Sequence, residues 1–133
     1  MVKYIALRSR GREEFIDITG EVRELVRGAG VRNGVCQLFV LHTTAGLTVN
    51  EGADPAVQRD IIGHLRKVVP GDPYFTHREG NSDAHIKSSL MGSSLTLFIE
   101  GGKLVLGTWQ TVYFCEFDGP RERKVAVRLA SDE

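Results

Sequence analysis

Between Tyr74 and Ser94 the chain reads Y-F-T-H-R-E-G-N-S-D-A-H-I-K-S-S-L-M-G-S-S, a mixture of groups able to bind metal, move protons or hold phosphate. His77 and His85 share this stretch with Glu79, Asn81, Asp83, Lys87 and a run of serines. A solvated loop has no need of such a mixture, and a core cannot bury it without partners. His77 and Glu79 are two residues apart and lie on one side of the backbone if the segment is extended. His85 falls in the first turn of an expected helix. The spacing holds no compact H-E-x-x-H pair, so taken alone it favours a polar loop with ordinary caps. The sharper alternative is convergence of histidines from separate elements on Zn²⁺ or a similar ion.

The G-N-S-D-A-H turn would open that helix with free backbone N–H groups, which is an anion site in principle. Asp83 at the cap opposes phosphate there unless a metal intervenes. Lys87, Ser88, Ser89, Ser93 and Ser94 add donors nearby. A second polar group follows the strand-like run C-Q-L-F-V-L-H, where His42 is succeeded by Thr43, Thr44, Gly46, Asn50 and Glu51. With a period of two, His42 shares a face with Cys36, Leu38 and Val40, so it leaves the core side as it enters the loop. Cys36 lies roughly 20 Å back along an extended strand, too far to share a metal with it. Hydrogen-bonded structure is the ordinary role for a histidine at a strand end, and turn chemistry the ordinary role for Thr and Asn. Arg121 and Arg123 in D-G-P-R-E-R-K read as a turn, either solvated or phosphate-binding. His64 reads as packing at the margin of a helix stripe, and Trp109 as core or subunit contact.

These residues need elements to position them. Strands are expected at Lys3–Arg8, Glu14–Ile18 and Val35–Leu41, with a short one at Leu47–Glu51. One helix is expected from Thr19 as N-cap to a stop at Gly28 and Gly30. Asp54-Pro55 opens a second, whose stripe is Val57, Ile61, Leu65, Val68 and Val69 and whose end is Pro70-Gly71. Ser82 or Asp83 caps a third over Ala84–Met91. Leu95, Leu97 and Ile99 alternate as a strand, and Gly101-Gly102 turns it into a run from Lys103 to Glu116. Lys124–Leu129 closes the chain. Strands at both ends and three helices between them predict an α+β fold with a largely antiparallel sheet.

With 133 residues the chain is expected to be one domain, residues 1–133, long enough for a real core. It is too short for a (β/α)8 barrel, which needs about 250 residues. Seventeen basic residues balance seventeen acidic ones, so no strong field gathers nucleic acid or an acidic membrane. No apolar run approaches the roughly 20 residues that span a bilayer. The N-terminus reads as an opening strand rather than a signal peptide. Cys36 and Cys115 sit in apolar runs and behave as small hydrophobes rather than as a bridge. A cytoplasmic location is the expectation.

The segments L-H-T-T-A-G-L-T-V-N-E-G-A-D-P, H-R-E-G-N-S-D-A-H-I-K-S-S-L-M-G-S-S-L-T-L, L-G-T-W-Q and C-E-F-D-G-P-R-E-R-K-V together resemble the YjbQ family, small proteins proposed to be secondary thiamine-phosphate synthases. One departure is Phe98, where proline would be expected. The resemblance implies a compact α+β fold and a homotrimer with its polar pocket near a subunit boundary. It implies His42, His77 and His85 as a metal or ligand set, with Mg²⁺ or Zn²⁺ as the divalent ion. The activity it implies joins a hydroxymethylpyrimidine pyrophosphate to a thiazole phosphate and releases pyrophosphate. That chemistry needs charge neutralisation on the leaving group and close orientation of two small phosphorylated substrates. Thr43, Thr44, Asn81, Lys87, Ser88, Ser89 and Arg121 are the substrate and phosphate candidates. Glu51, Glu79 and Asp83 are the candidates to hold a divalent ion or orient the aminopyrimidine, and with His77 they are the expected catalytic residues. Two alternatives stand beside the transferase. One is a hydrolase whose three-histidine ion activates water with Glu79 as base; the other is a non-catalytic trimer that binds a phosphorylated metabolite.

Overall fold

A computed structural model describes residues 1–133. Its elements in chain order are β1 (Val2–Arg8), β2 (Glu14–Asp17), α1 (Thr19–Ala29), β3 (Gly34–Val40), β4 (Ala45–Glu51), α2 (Pro55–Val68), α3 (Ser82–Met91), β5 (Ser94–Glu100), β6 (Lys103–Leu104), β7 (Gln110–Glu116) and β8 (Glu122–Ser131). The strands form two sheets, ordered β1-β8-β3-β5-β6 and β2-β7-β4, with every pairing antiparallel. The α+β class expected from the strand and helix pattern is the one observed.

The two sheets share one core. Ile5, Leu38, Val40, Val125 and Val127 of the larger sheet meet Leu47, Val112 and Phe114 of the smaller, with Val22 and Val26 of α1. A second cluster lies on the other face of the smaller sheet, where Phe15, Tyr113, Cys115 and Phe117 are packed by Ile61, Ile62 and Leu65 of α2 and by Ala84 and Met91 of α3. β7 therefore buries both faces, which is why its sequence is apolar at successive positions rather than alternately. The larger sheet has helices on neither side of its outer face, where Tyr4, Phe39 and Phe98 are exposed.

Several local expectations are corrected. Lys103–Glu116 is not one strand: β6 pairs with β5, the chain leaves the sheet, and β7 joins the other sheet between β2 and β4. Trp109 lies in the turn before β7 and is exposed, so it is not core. Thr19 is the first residue of α1 rather than its cap, and its buried hydroxyl accepts the Val112 N–H at 2.9 Å. Asp54 does cap α2, accepting the Ala56 N–H at 2.9 Å, with Pro55 behind it. Within α2, however, Val68 and His64 are exposed, because only Ile61, Ile62 and Leu65 reach the second cluster. Neither Ser82 nor Asp83 caps α3; Asn81 occupies the cap position and makes no side-chain cap bond.

α3 comes unusually close to β4. A Cβ on Gly46 would stand 2.8 Å from the Gly92 carbonyl oxygen and 2.9 Å from Met91 Cβ, so only glycine permits this approach. That contact sets α3, with His85, beside the loop that carries His42.

Candidate functional site

After β3 ends at Val40, Leu41–Thr44 carry the chain over to β4 in the other sheet. His42 lies two residues past the end of the strand and is half-buried. Its Nε2 accepts the backbone N–H of Lys124 at 2.8 Å. In the neutral ring this leaves the proton on Nδ1. Burial pushes the His42 pKa below its ordinary 6.5, and the Arg123 charge pushes the same way against a smaller opposing effect of Glu116. Thr44 is buried and its Oγ1 accepts from Arg123 Nη2 at 2.8 Å. Ser88 of α3 donates its hydroxyl to the Thr43 carbonyl at 2.7 Å, fastening loop to helix.

Behind this loop lies a buried ion pair. Glu116 is fully buried and receives Arg123 Nε on Oε1 at 2.8 Å and Arg123 Nη2 on Oε2. The Ser9 hydroxyl and the Phe117 and Asp118 N–H groups also donate to it. Burial alone would raise the Glu116 pKa, but hydrogen bonds from Arg123, Ser9 and the Asp118 backbone outweigh it and lower it. Arg123 is thus a satisfied structural cation in β8, not a solvated turn residue.

The third contributor is the segment before α3. Gly80 adopts φ +73°, a left-handed conformation that lets its N–H return to the His77 carbonyl at 3.2 Å. This tight turn brings His77 against His85, with ring centroids 5.3 Å apart and planes perpendicular. Asn81 follows, buried, and its Nδ2 donates to Asp118 Oδ2 at 2.8 Å. Arg121 Nη2 donates to the same oxygen at 3.0 Å, and Arg121 Nε to the Asp118 carbonyl at 2.8 Å.

The result is an open cavity of about 380 Å³ lined by His42, Thr43, Thr44, His77, Glu79, Asn81, His85 and Arg121, together with Leu41, Asp118 and Arg123. A second cavity of about 630 Å³ meets it at His42 and Arg123 and is bounded beyond them by Ala6, Leu7, Arg8, Glu122 and Lys124. Sequence reasoning missed Asp118 altogether. Its only signal was its place in the D-G-P-R turn, which gives no hint that it orients both Asn81 and Arg121.

Five of the expected site residues are placed elsewhere. Lys87 is 2% exposed and bound to Glu13 at 2.7 Å and Asp83 at 3.3 Å, so its ammonium does not reach the cavity. Asp83 is likewise spent on Lys87 and Arg12, because the first turn of α3 points it away from the histidines. Ser88 and Ser89 donate to the His85 carbonyl within their own helix, Ser88 also to Thr43, which leaves no hydroxyl hydrogen for phosphate. Glu51 ends β4, accepting the Ala53 N–H on its side chain and the Tyr113 hydroxyl on its carbonyl. The length of β4 separates it from the cavity, at roughly 3.4 Å per residue.

The three histidines share the cavity without forming a metal-holding set. No three His, Cys, Asp or Glu side chains are gathered closely enough to hold an ion, and His42 Nε2 is occupied by the Lys124 amide. The arrangement as it stands does not fit a three-histidine metal. Cys36 and Cys115 are buried free thiols packed in the two apolar clusters, and burial raises the Cys36 pKa to about 11. No helix is long and apolar enough to cross a membrane.

Known proteins share this architecture and sequence. A family model described as UPF0047 protein YjbQ-like matches residues 3–132. The chain is similar to UPF0047 protein MJ1081 of Methanocaldococcus jannaschii, 49% identical over 127 residues that cover 96% of this chain and 92% of that protein. It is similar to UPF0047 protein YugU of Bacillus subtilis, 43% identical over 130 residues, 97% of this chain and 98% of that one. Among solved structures, an uncharacterised yjbq/upf0047 family protein of Clostridium acetobutylicum superposes with a TM-score of 0.94 at 53% identity, covering 96% and 99% of the two chains. A YbjQ-like protein of unknown function from Sulfolobus solfataricus gives 0.93 at 30% identity, covering 99% and 97%.

Proposed function

The chain belongs to the YjbQ-like UPF0047 family, and on that premise we propose that the histidine-lined cavity is the active site of a thiamine-phosphate-synthase-type transferase. The observation that carries this reading is convergence. His42, Thr43, Thr44, His77, Glu79, His85 and Arg121 come from three separate stretches of chain and line one cavity. A second cavity sharing the His42–Arg123 wall supports a reaction with two substrates.

In the proposed reaction the pyrimidine methylene–oxygen bond breaks, pyrophosphate leaves with the electron pair, and the thiazole nitrogen bonds to the cationic methylene. The chain's task is to neutralise charge on the leaving group and align the two partners. Arg121, half-exposed at the rim, has donors left over from Asp118 to meet phosphate oxygens. The imidazoles of His77 and His85 offer N–H groups beside it, and the Thr43 hydroxyl a further donor. His42, held neutral with its Nδ1 protonated, orients rather than titrates near neutral pH. Mg²⁺ belongs in the assay as the usual counter-ion of pyrophosphate.

The active form in this reading is a cytoplasmic homotrimer. Support for self-association is the bare outer face of the larger sheet, where Tyr4, Phe39 and Phe98 are each more than half exposed.

The test is incubation of purified protein with hydroxymethylpyrimidine pyrophosphate, thiazole phosphate and Mg²⁺, with product measured by mass spectrometry and His77→Ala as control. Thiamine phosphate formed by the native chain and lost in the control is the expected result. Its absence from an intact native assembly turns the reading to a non-catalytic site for a phosphorylated metabolite.

A further inference from the structure

Among the buried side-chain nitrogen and oxygen atoms of this chain, Asn81 Oδ1 alone lacks a hydrogen-bond partner. The residue is 8% exposed and lines the histidine cavity. A buried polar atom left unmatched is costly, so such an atom calls for an explanation. Its orientation is not arbitrary. The amide nitrogen donates to Asp118 Oδ2 at 2.8 Å, and turning the amide over would set its oxygen against a carboxylate. Arg121 holds Asp118 in place through two further bonds, at 2.8 and 3.0 Å. The Asn81 backbone is pinned as well, since its carbonyl accepts the Ala84 and His85 N–H groups at 3.0 and 3.3 Å.

One N–H of the Asn81 amide is spent on Asp118, and the atom left wholly unmatched is a fixed acceptor. Ionised phosphate brings only lone pairs and would be repelled by Oδ1, so this atom does not serve the phosphate contact expected of Asn81 from sequence. Arg121 and Arg123 in the same lining are already paired with Asp118 and Glu116, so nothing there calls for a charged partner. A neutral N–H donor is enough to match Oδ1.

We infer that Asn81 Oδ1 selects a ligand bearing a neutral N–H donor, as the exocyclic amino group of an aminopyrimidine does, while Arg121 and the cavity's other donors take its phosphate end. This deepens the transferase reading and rests on the cavity being the substrate site. The cavity is then polarised, with an acceptor at the foot of α3 and donors at the rim. Sites built to hydrogen-bond a donor reject analogues lacking it, because the buried acceptor is left unmatched.

The experiment compares binding of hydroxymethylpyrimidine pyrophosphate with that of its analogue carrying hydrogen in place of the 4-amino group, by titration calorimetry. Native protein and Asn81→Ala are measured in parallel. The expected result is a preference of roughly tenfold or more for the amino compound in the native chain, collapsing toward unity in the variant. A purely structural role in holding Asp118 would weaken both ligands alike and leave the ratio intact, which overturns the inference. Equal native affinity for the two compounds also overturns it, even if thiamine phosphate is formed and the transferase reading stands. Amino-selective binding without product leaves the inference standing and removes the transferase. If neither compound binds, both fall. The comparison within the native chain decides the matter even if the variant does not fold.

Discussion

Lys87 Nζ lies 2.7 Å from Glu13 Oε2, with the two side chains only 2% and 4% exposed. Asp83 closes on the same ammonium at 3.3 Å, while Arg66 pairs with Glu13 and Arg12 with Asp83 from the more exposed side. This alternation of charge joins α3 to the segment between β1 and β2. Since α3 also carries His85, the network is what holds one wall of the cavity in place.

Replacing Lys87 should therefore act on stability before it acts on substrate. Removing one partner of a buried pair costs about 3–5 kcal/mol, and Lys87→Ala should fall near 3 kcal/mol because Arg66 and Arg12 remain. Urea denaturation measures it. In protein that stays folded, the KM for the pyrophosphate substrate should be unchanged. A raised KM at native stability would restore the direct phosphate role.

Acid should unfold the chain through the same groups. Burial raises the Glu13 and Asp83 pKa values, but bonds from Lys87 and Arg66 to the first, and from Arg12 and Lys87 to the second, lower them overall. Glu116 is lowered likewise, by Arg123 and Ser9 against its burial. A carboxyl that is more acidic folded than unfolded adds stability above its unfolded pKa, and this is lost as pH falls through the folded one. Thermal melts should thus show no loss from these groups at pH 7 and a falling Tm once pH drops below the ordinary values of 4.5 and 3.8. A Tm that holds constant to pH 3 would show these carboxylates to be unimportant.

His42 should give a signature of the same sign in a window nearer neutrality. Its pKa is depressed by burial and by Arg123, so the unfolded chain takes up a proton more readily than the folded one. Stability should decline as pH falls from the ordinary 6.5 toward the folded value. His42→Gln can keep an acceptor for the Lys124 N–H while removing the titration. The stability difference between pH 7 and pH 5.5 should shrink in the variant, and a histidine NMR titration should show His42 neutral at pH 7. An unchanged pH dependence would mean that other groups carry it.

The fold was legible where periodicity and end signals agreed. The alternation of Cys36, Leu38 and Val40 and the Asp54-Pro55 start both translate directly into β3 and α2. The site was half legible. His42, His77 and His85 line one cavity, but the partners of charged residues depend on contacts remote in sequence. Lys87 reads as a phosphate ligand until Glu13, seventy-four residues away, is found against it. Glu51 reads as a neighbour of His42 until the strand between them is extended. Asn81 and Asp118 give no local sign of each other at all, since a thirty-seven-residue separation is closed only by the packing of α3 on β7 and the turn after it.

The exposed sheet face predicts an assembly with a single-residue weak point. Tyr4, Ala126 and Phe39 stand in one row across β1, β8 and β3, by register, and the two aromatics are 56% and 51% exposed. A patch of this kind on a bare sheet face marks an interaction surface, and a charge at its centre opposes association through desolvation. Phe39→Glu should convert a trimer, three times 14.7 kDa, into a monomer by light scattering, while the circular dichroism stays native. Ala6 and Arg8 follow Tyr4 on the same face of β1 and border the 630 Å³ cavity. Dissociation should therefore lower kcat as well, and dilution of the native chain below its assembly threshold should do the same. A native chain that is monomeric at all concentrations, yet turns over, would place the whole site within one subunit and leave the aromatic row without this role.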